Sequence, residues 1–233
     1  MFGWTGRTIF VDLSSHSVTE SRTGVKQARE YLGGRGFGIK LMYEFADPDV
    51  DPLSPDNPLV FATGPLTGTA APMSGHYSIT TKSPLTHTIF DSNAGGHFGK
   101  AMKYAGIDAL VITGRSDTPL YLSIFDEDVE LISAEHLWGK DTRETTLALK
   151  EKGSVVCIGR AGEKKVRFAN FVSDNLYSSG RGGHGAVAGS KNLKAVVVKG
   201  TNDPLIADPQ AFEKAIASAQ RLLQANPVTS KGL

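Results

Sequence analysis

The sequence predicts an α+β fold dominated by antiparallel sheet. Three observations point that way: many short apolar runs bounded by turn residues, helical segments that do not alternate strictly with them, and an internal repeat built on glycine loops. The chain opens with RTIFVDL, the polar turn SSHS and then VTES, which read as a hairpin. Helical spacing follows in VKQAREYL, halted by Gly33 and Gly34, and again in GIKLMYEFA ahead of Asp47 and Pro48. The Pro/Asp-rich stretch DPDVDPLSPDNP is a connection. Strands are expected at LVFAT, YSITTK, THTIFD, DALVITG, PLYLSIF and VELIS, and later at SVVCIG, KVRFANFV and KAVVVKG. Helices fit GKAMKYAG and TRETTLALKEK. TNDPLIADP reads as a linker and DPQAFEKAIASAQRLLQ as an amphipathic helix. One domain is therefore expected over residues 1–203, with the linker and first helix of a following, truncated domain over 204–233.

With 233 residues, 40% of them hydrophobic, the chain can bury a sizeable core. The net charge of +1 gives no reason to expect nucleic acid or a membrane surface as a partner. The 26 glycines are clustered, hence positional rather than low-complexity. A single cysteine, Cys157, rules out an internal disulfide or a self-contained thiolate metal site, and its apolar setting (SVVCIG) suggests a buried, inert thiol. The start of the chain lacks the pattern of a signal peptide and no apolar run has the length of a membrane span, so a soluble, cytoplasmic protein is expected.

The repeat lays GGHFGKAMKYAGIDALVITGRSDTPL, beginning at Gly95, on GGHGAVAGSKNLKAVVVKGTNDPL, beginning at Gly182. Each copy reads as glycine loop, short helix, apolar strand and turn. Glycines let a backbone approach a ligand closely, and free N–H groups at a helix start favour an anion, so two copies suggest two similar anionic groups about a pseudo-twofold axis. A duplicated packing motif whose glycines merely make turns also explains the pattern and, on the repeat alone, is the preferred reading. Nucleotide-loop readings are weak. A dinucleotide fingerprint needs a strand directly before its glycines, whereas Asp174 to Gly180 intervene here, and Gly189-Ser190-Lys191 has the wrong order for a phosphate loop.

The histidines show no metal-ligand spacing. His97 and His184 share a repeat position where a structural hydrogen bond is expected. Asp126, Glu127 and Asp128 form a solvated hairpin tip. Arg35 and Arg181 stand among glycines, where a guanidinium can grip phosphate bidentately. No nucleophile–base constellation is present. The residues suit holding an anion rather than reacting with it.

Several stretches, in order, resemble the N-terminal domain of the aldehyde:ferredoxin oxidoreductase family: GWTGRTIFVDLS, YLGGRGFG, DPLSPDNPLVFATGPLTGT, Ala71-Pro72, TKSPLT, KYAGIDALVITG, LWGK, IGRAGE and SSGRGGHGAVAGSKNLKAV. The resemblance implies a base of two mostly antiparallel β-sheets with a pseudo-twofold repeat and short helices, beneath a tungsten or molybdenum bispterin cofactor. It implies Mg²⁺ joining two pterin phosphates, and a [4Fe–4S] cluster held by cysteines of later domains. It also implies oxidation of a small aldehyde to a carboxylic acid, with ferredoxin as electron acceptor and a homodimer as a candidate assembly. Position by position, it carries cofactor contact to Asn93, Ala94 and Gly95 in one loop and to Ser178, Gly180 and Arg181 in the other. The carbonyls of Asn93 and Ser178 fall where the family holds Mg²⁺. His76 (in SGHYS) and Tyr177 (in NLYSS) stand where aldehyde oxidoreductases carry arginine. His76 is kept as a pterin contact, and the subfamily and substrate are left open. Two alternatives remain beside this one: a non-catalytic polyphosphate- or nucleotide-binding module of the same fold, and an assembly domain acting through the final helix.

Overall fold

The computed structural model describes residues 1–231. The opening hairpin is β1 (Arg7–Asp12) and β2 (Ser17–Arg22). There follow α1 (Val25–Tyr31), α2 (Arg35–Phe45), β3 (Leu59–Thr63), β4 (Tyr77–Lys82), β5 (Ile89–Ala94), α3 (Phe98–Tyr104) and β6 (Ala109–Thr113). These strands form a six-stranded sheet ordered β2-β1-β6-β3-β4-β5, antiparallel except where β1 runs beside β6.

The second half contains β7 (Leu120–Phe125), β8 (Asp128–Ser133), α4 (Thr142–Leu149), β9 (Ser154–Ile158), α5 (Arg160–Glu163), β10 (Phe171–Ser173), β11 (Tyr177–Ser179), α6 (His184–Ser190) and β12 (Leu193–Lys199). Its sheet reads β8-β7-β12-β9-β10-β11, antiparallel except for the β7–β12 pair. Strand for strand this is the topology of the first sheet. The duplication visible in sequence over one loop, helix and strand thus extends to the whole half, and the fold is α+β with two mostly antiparallel sheets.

Period-2 alternation explains how the sheets pack, with one face of each turned to a shared core. Ile9, Phe61, Ile79 and Leu110 meet Leu122, Val156, Phe171 and Val196 there, with Phe98 and Met102 of α3 and Val187 of α6 filling the ends. Phe61 touches Tyr77, Phe98 and, across the halves, Phe171. The outer faces are buried too. Phe37, Leu41 and Met42 of α2 cover Val60, Ala62 and Val111, while Leu149 of α4 covers Tyr121, Val155, Cys157 and Val197. Strands such as LVFAT are apolar throughout because both of their faces are covered.

Local chemistry sets the element ends. Asp141 and Glu144 form a reciprocal capping box at α4 (Glu144 N to Asp141 Oδ1, 2.8 Å). The β7–β8 turn puts Asp126 at φ 51°, and its carboxylate accepts from Thr201 N (2.8 Å) and Oγ1 (2.7 Å), so this tip is tied to the chain beyond β12 rather than merely solvated. After β12, α7 (Pro209–Ala225) begins with Asp208 accepting from Ala211 N and contributes no buried residue; α8 (Pro227–Lys231) follows it.

Two expectations need correction. KVRFANFV is not one strand: Lys165 has φ 56°, the backbone turns through Val166–Ala169, and only Phe171–Ser173 pairs. Tertiary packing overrides the β-rich composition, because this segment lies against α6, where a Cβ at Gly183 would meet Arg167 O at 2.2 Å. A strand does directly precede the second glycine loop, since Tyr177–Ser179 pairs with β10.

The Pro/Asp-rich connection is pinned from the second half. Arg115 Nη2 donates to Leu53 O (3.1 Å), and the buried Lys191 at the end of α6 donates to the carbonyls of Pro55 (2.6 Å) and Gly114 (3.2 Å). Burial pushes the Lys191 pKa down from 10.5 to about 7. Between those values the unfolded chain holds a proton that the folded chain releases, so this group makes stability rise with pH across the window. Denaturant unfolding at both ends of the window should show the native chain gaining stability relative to Lys191→Met. Parallel profiles would contradict the buried amine.

Candidate functional site

The edge strands β5 and β11 approach each other where the two halves meet. Strand pairing sets Asn93 opposite Ser78 and Ser178 opposite Val172, while Ala94 faces Tyr77 and Ser179 faces Phe171. Asn93 and Ser178 are therefore equivalent positions of the two copies, and so are the next residues, Gly95 and Gly180. The sequence repeat had laid Gly95 on Gly182. The register corrects this, because the second loop is longer between strand and helix.

Most of the loop glycines serve packing between halves. A Cβ at Gly95 would stand 3.5 Å from the Tyr177 ring, and one at Gly96 would stand 2.8 Å from it. Reciprocally, a Cβ at Gly182 would stand 2.4 Å from Phe90. An aromatic residue on each edge strand thus sits on the glycine loop of the other half. Gly34 and Gly180 are different: no ring lies against them, and the nearest atoms to their Cβ positions are polar side-chain atoms at ordinary contact distance, Ser78 Oγ at 3.8 Å and Asn170 Nδ2 at 3.5 Å.

An open cleft of about 330 Å³ lies beside the first loop, lined by Gly34, Leu66, Met73, His76, Ser78 and Asn93 among others. His76 is exposed, and its Nδ1 lies 3.0 Å from Met73 O. A carbonyl only accepts, so Nδ1 carries the proton and Nε2, which faces Gly95 and lies 3.8 Å from its Cβ position, is bare in the neutral ring. The Ser78 hydroxyl is fully buried at the cleft wall and has no partner among the described residues. Asn93 is exposed, its amide 3.4 Å from Asp91 Oδ2. The Ala94 side chain is buried in the inter-sheet core, which leaves only its backbone to a ligand.

In the second loop Ser178 and Arg181 are exposed. Asn170 joins them: its Nδ2 donates to Ser178 Oγ (3.3 Å) and its Oδ1 accepts from Arg181 N (3.0 Å). The two arginines picked out by their glycine surroundings differ. Arg35 Nε is paired with Asp91 Oδ2 at 2.8 Å, whereas the Arg181 guanidinium has no carboxylate partner among the described residues. The repeat histidines diverge as well. His97 is exposed, while His184 is buried with Nε2 3.3 Å from Phe90 O, and burial pushes its pKa down to about 4. It is a neutral tie between halves. Cys157 is buried, its thiol pushed up to about 11 by burial, which makes it inert.

Among the described residues no group of three or more His, Cys, Asp or Glu could hold a metal ion, and no helix is long and apolar enough to cross a membrane. The arrangement can bind and orient an anion but offers no nucleophile with an adjacent base. Sequence reasoning missed Asn170, Ser78 and Gly34. The usable signal was the dipeptide pair His76-Tyr77 and Asn170-Phe171, a polar residue ahead of an aromatic strand start in each copy.

The family model described as aldehyde ferredoxin oxidoreductase, N-terminal domain, matches residues 8–200. The chain belongs to the aldehyde ferredoxin oxidoreductase family. A tungsten-containing aldehyde ferredoxin oxidoreductase of Pyrococcus abyssi is 47% identical over all of this chain and 39% of its own length. The WOR-like subunit of an aliphatic sulfonate oxidoreductase from Pyrococcus furiosus is 33% identical over 92% of this chain and 36% of its own. Among solved structures, the active site complex BamBC of benzoyl coenzyme A reductase with 1,5-dienoyl-CoA contains a chain that matches 96% of this one. It does so at a TM-score of 0.93 and 36% identity, over 35% of its own length. The chain spans about two fifths of the length of the aldehyde ferredoxin oxidoreductases it matches (39%).

The interlock of the halves has a direct test. Gly96→Ala should destabilise the chain by about 1–3 kcal/mol, through the Tyr177 contact and the left-handed backbone at φ 96°. In a Tyr177→Ala background part of that loss should disappear. Urea unfolding measures both, and full additivity would mean that the ring does not seat on this loop.

Proposed function

We propose that this chain is the cofactor-cradling domain, residues 1–203, of a tungsten or molybdenum bispterin oxidoreductase that converts aldehydes to carboxylic acids and passes electrons to ferredoxin. Residues 204–233 then open the following domain. The observation that carries the reading is the meeting of two equivalent strand ends at one seam, with Asn93 and Ser178 at matching positions, each followed by a glycine. The names of the relatives supply tungsten, aldehyde and ferredoxin.

The residues suit such a group. The Ser78 hydroxyl, without a partner among the described residues, borders Gly34 at the cleft wall, and the Arg181 guanidinium, with no carboxylate partner among the described residues, suits a phosphate. Gly95, Asn93 and His76 would hold the cofactor on the first side, and Ser178, Gly180 and Arg181 on the second. The Asn93 and Ser178 carbonyls would offer hard oxygen ligands to Mg²⁺. When bound, the metal centre supplies two-electron oxidation. This chain's own part is to bind and orient, since its one cysteine is buried and a [4Fe–4S] cluster needs thiolates from elsewhere. A soluble cytoplasmic enzyme acting on a small aldehyde, with a homodimer as one assembly, completes the proposal.

One observation favours a second reading, a polyphosphate-binding module: Tyr177 and His76 stand where aldehyde oxidoreductases carry arginine, so neither supplies a permanently charged guanidinium. Metal and pterin analysis of the full-length protein, made with both tungstate and molybdate available, separates the two. One metal with two pterins supports the enzyme, and a folded protein free of both supports the module. Arg181→Ala removes a charge-assisted contact of about 1.5–3 kcal/mol, so cofactor binding should weaken about 10- to 100-fold. Unchanged metal and pterin content would refute the assignment of Arg181. Residues 1–233 alone should show no aldehyde oxidation.

A further inference from the structure

Two residues beyond the matched strand positions Ala94 and Ser179 stand Gly96 and Arg181, and both have left-handed backbones (φ 96° and 75°). The loop therefore takes this conformation in both copies. The first copy meets it with glycine, at no steric penalty; the second uses an arginine whose Cβ opposes it. A long charged side chain at a strained position, where the first copy counted the same way has glycine, points to a use for that side chain.

Asn170 holds the strained backbone in place. The Arg181 N–H can only donate, so the amide oxygen of Asn170 accepts it (3.0 Å), and Nδ2 is left to donate to Ser178 Oγ (3.3 Å). One amide spans the loop from Ser178 to Arg181. Asn170 stands directly before β10, as His76 stands before β4, so each copy sets a polar side chain over the glycine that follows its edge strand.

We infer that Asn170 is a positioning residue that fixes Arg181 in its left-handed conformation and so presents the guanidinium to the anionic group seated in the second loop. The identity of that group rests on the cofactor reading above; the link between Asn170 and Arg181 does not.

The test is a double-mutant cycle in the full-length enzyme with Asn170→Ala, Arg181→Gly and both together. Tungsten and pterin retained during prolonged dialysis form one readout. The thermal midpoint of the same proteins made without tungstate or molybdate forms the other. Asn170→Ala should speed cofactor loss about five- to tenfold when Arg181 is present, the scale of one lost hydrogen bond, and less than about twofold once Arg181→Gly has removed both strain and guanidinium. The midpoint should fall more with Asn170→Ala alone than when it is added to Arg181→Gly. Equal effects of Asn170→Ala in both backgrounds would overturn the positioning role. Unchanged retention in Arg181→Gly would overturn the anion-facing purpose of the loop and the cofactor reading of Arg181, and persistent coupling of the midpoints would then leave Asn170 as a backbone support alone.

Discussion

The structure depends on the covering of two sheet edges by each other. An edge strand presents unpaired backbone groups, and a chain with two such sheets must protect four edges. Here β5 and β11 are brought together at the seam, and each half sets an aromatic ring on the other's glycine loop. His184 adds a neutral hydrogen bond to Phe90 O, and Phe171 meets Phe61 in the shared core. Because the edges pack against each other, the loop that follows each edge strand lies against the start of the other. The cleft with His76 and Asn93, and the second loop with Ser178 and Arg181, are consequences of how the edges are closed.

This view divides the glycines, which in sequence look alike. Gly96 and Gly182 are small because a ring must lie against them, so the packing explanation of the repeat holds for these positions. Gly34 and Gly180 have no ring against them and are flanked by polar side chains, Ser78 and Asn170, with Gly34 at the cleft wall, which is the setting a ligand explanation requires. Both readings of the repeat describe real residues, in different places.

Much of the fold was legible, for identifiable reasons. The hairpin β1–β2, the strands from LVFAT onward and the capped helix α4 follow from alternation, apolar runs and a capping box. Of the second-half counterparts of β4 and β5, β10 was legible only as the end of an overlong KVRFANFV and β11 not at all, because Phe171–Ser173 and Tyr177–Ser179 are too short to show a period and owe their conformation to pairing across the sheet. The full duplication escaped for the same reason: only the loop, helix and strand around α3 and α6 kept recognisable residues. Of the site, Arg181 stood out by its glycine neighbours and the other positions came from family resemblance. Ser78 and Asn170 gain meaning only from what they face in three dimensions, a cleft wall and a loop backbone.

The buried ion pairs of the two copies show how far the copies have diverged. Lys103 pairs with Asp108 at 2.5 Å just before β6, and Lys194 pairs with Glu163 at 2.5 Å early in β12. Asp108 and Lys194 each precede the alanine that opens the matching strand register, Ala109 or Ala195, so one structural position carries opposite charges in the two copies. A helix–strand unit moved from the first copy into the second would bring Asp108 with its own partner Lys103 but remove Lys194, leaving the Glu163 carboxylate beside a second carboxylate and without its lysine. The two units share a shape yet cannot replace one another. The symmetry of the backbone thus hides an electrostatic polarity that gives each half one fixed address in the chain.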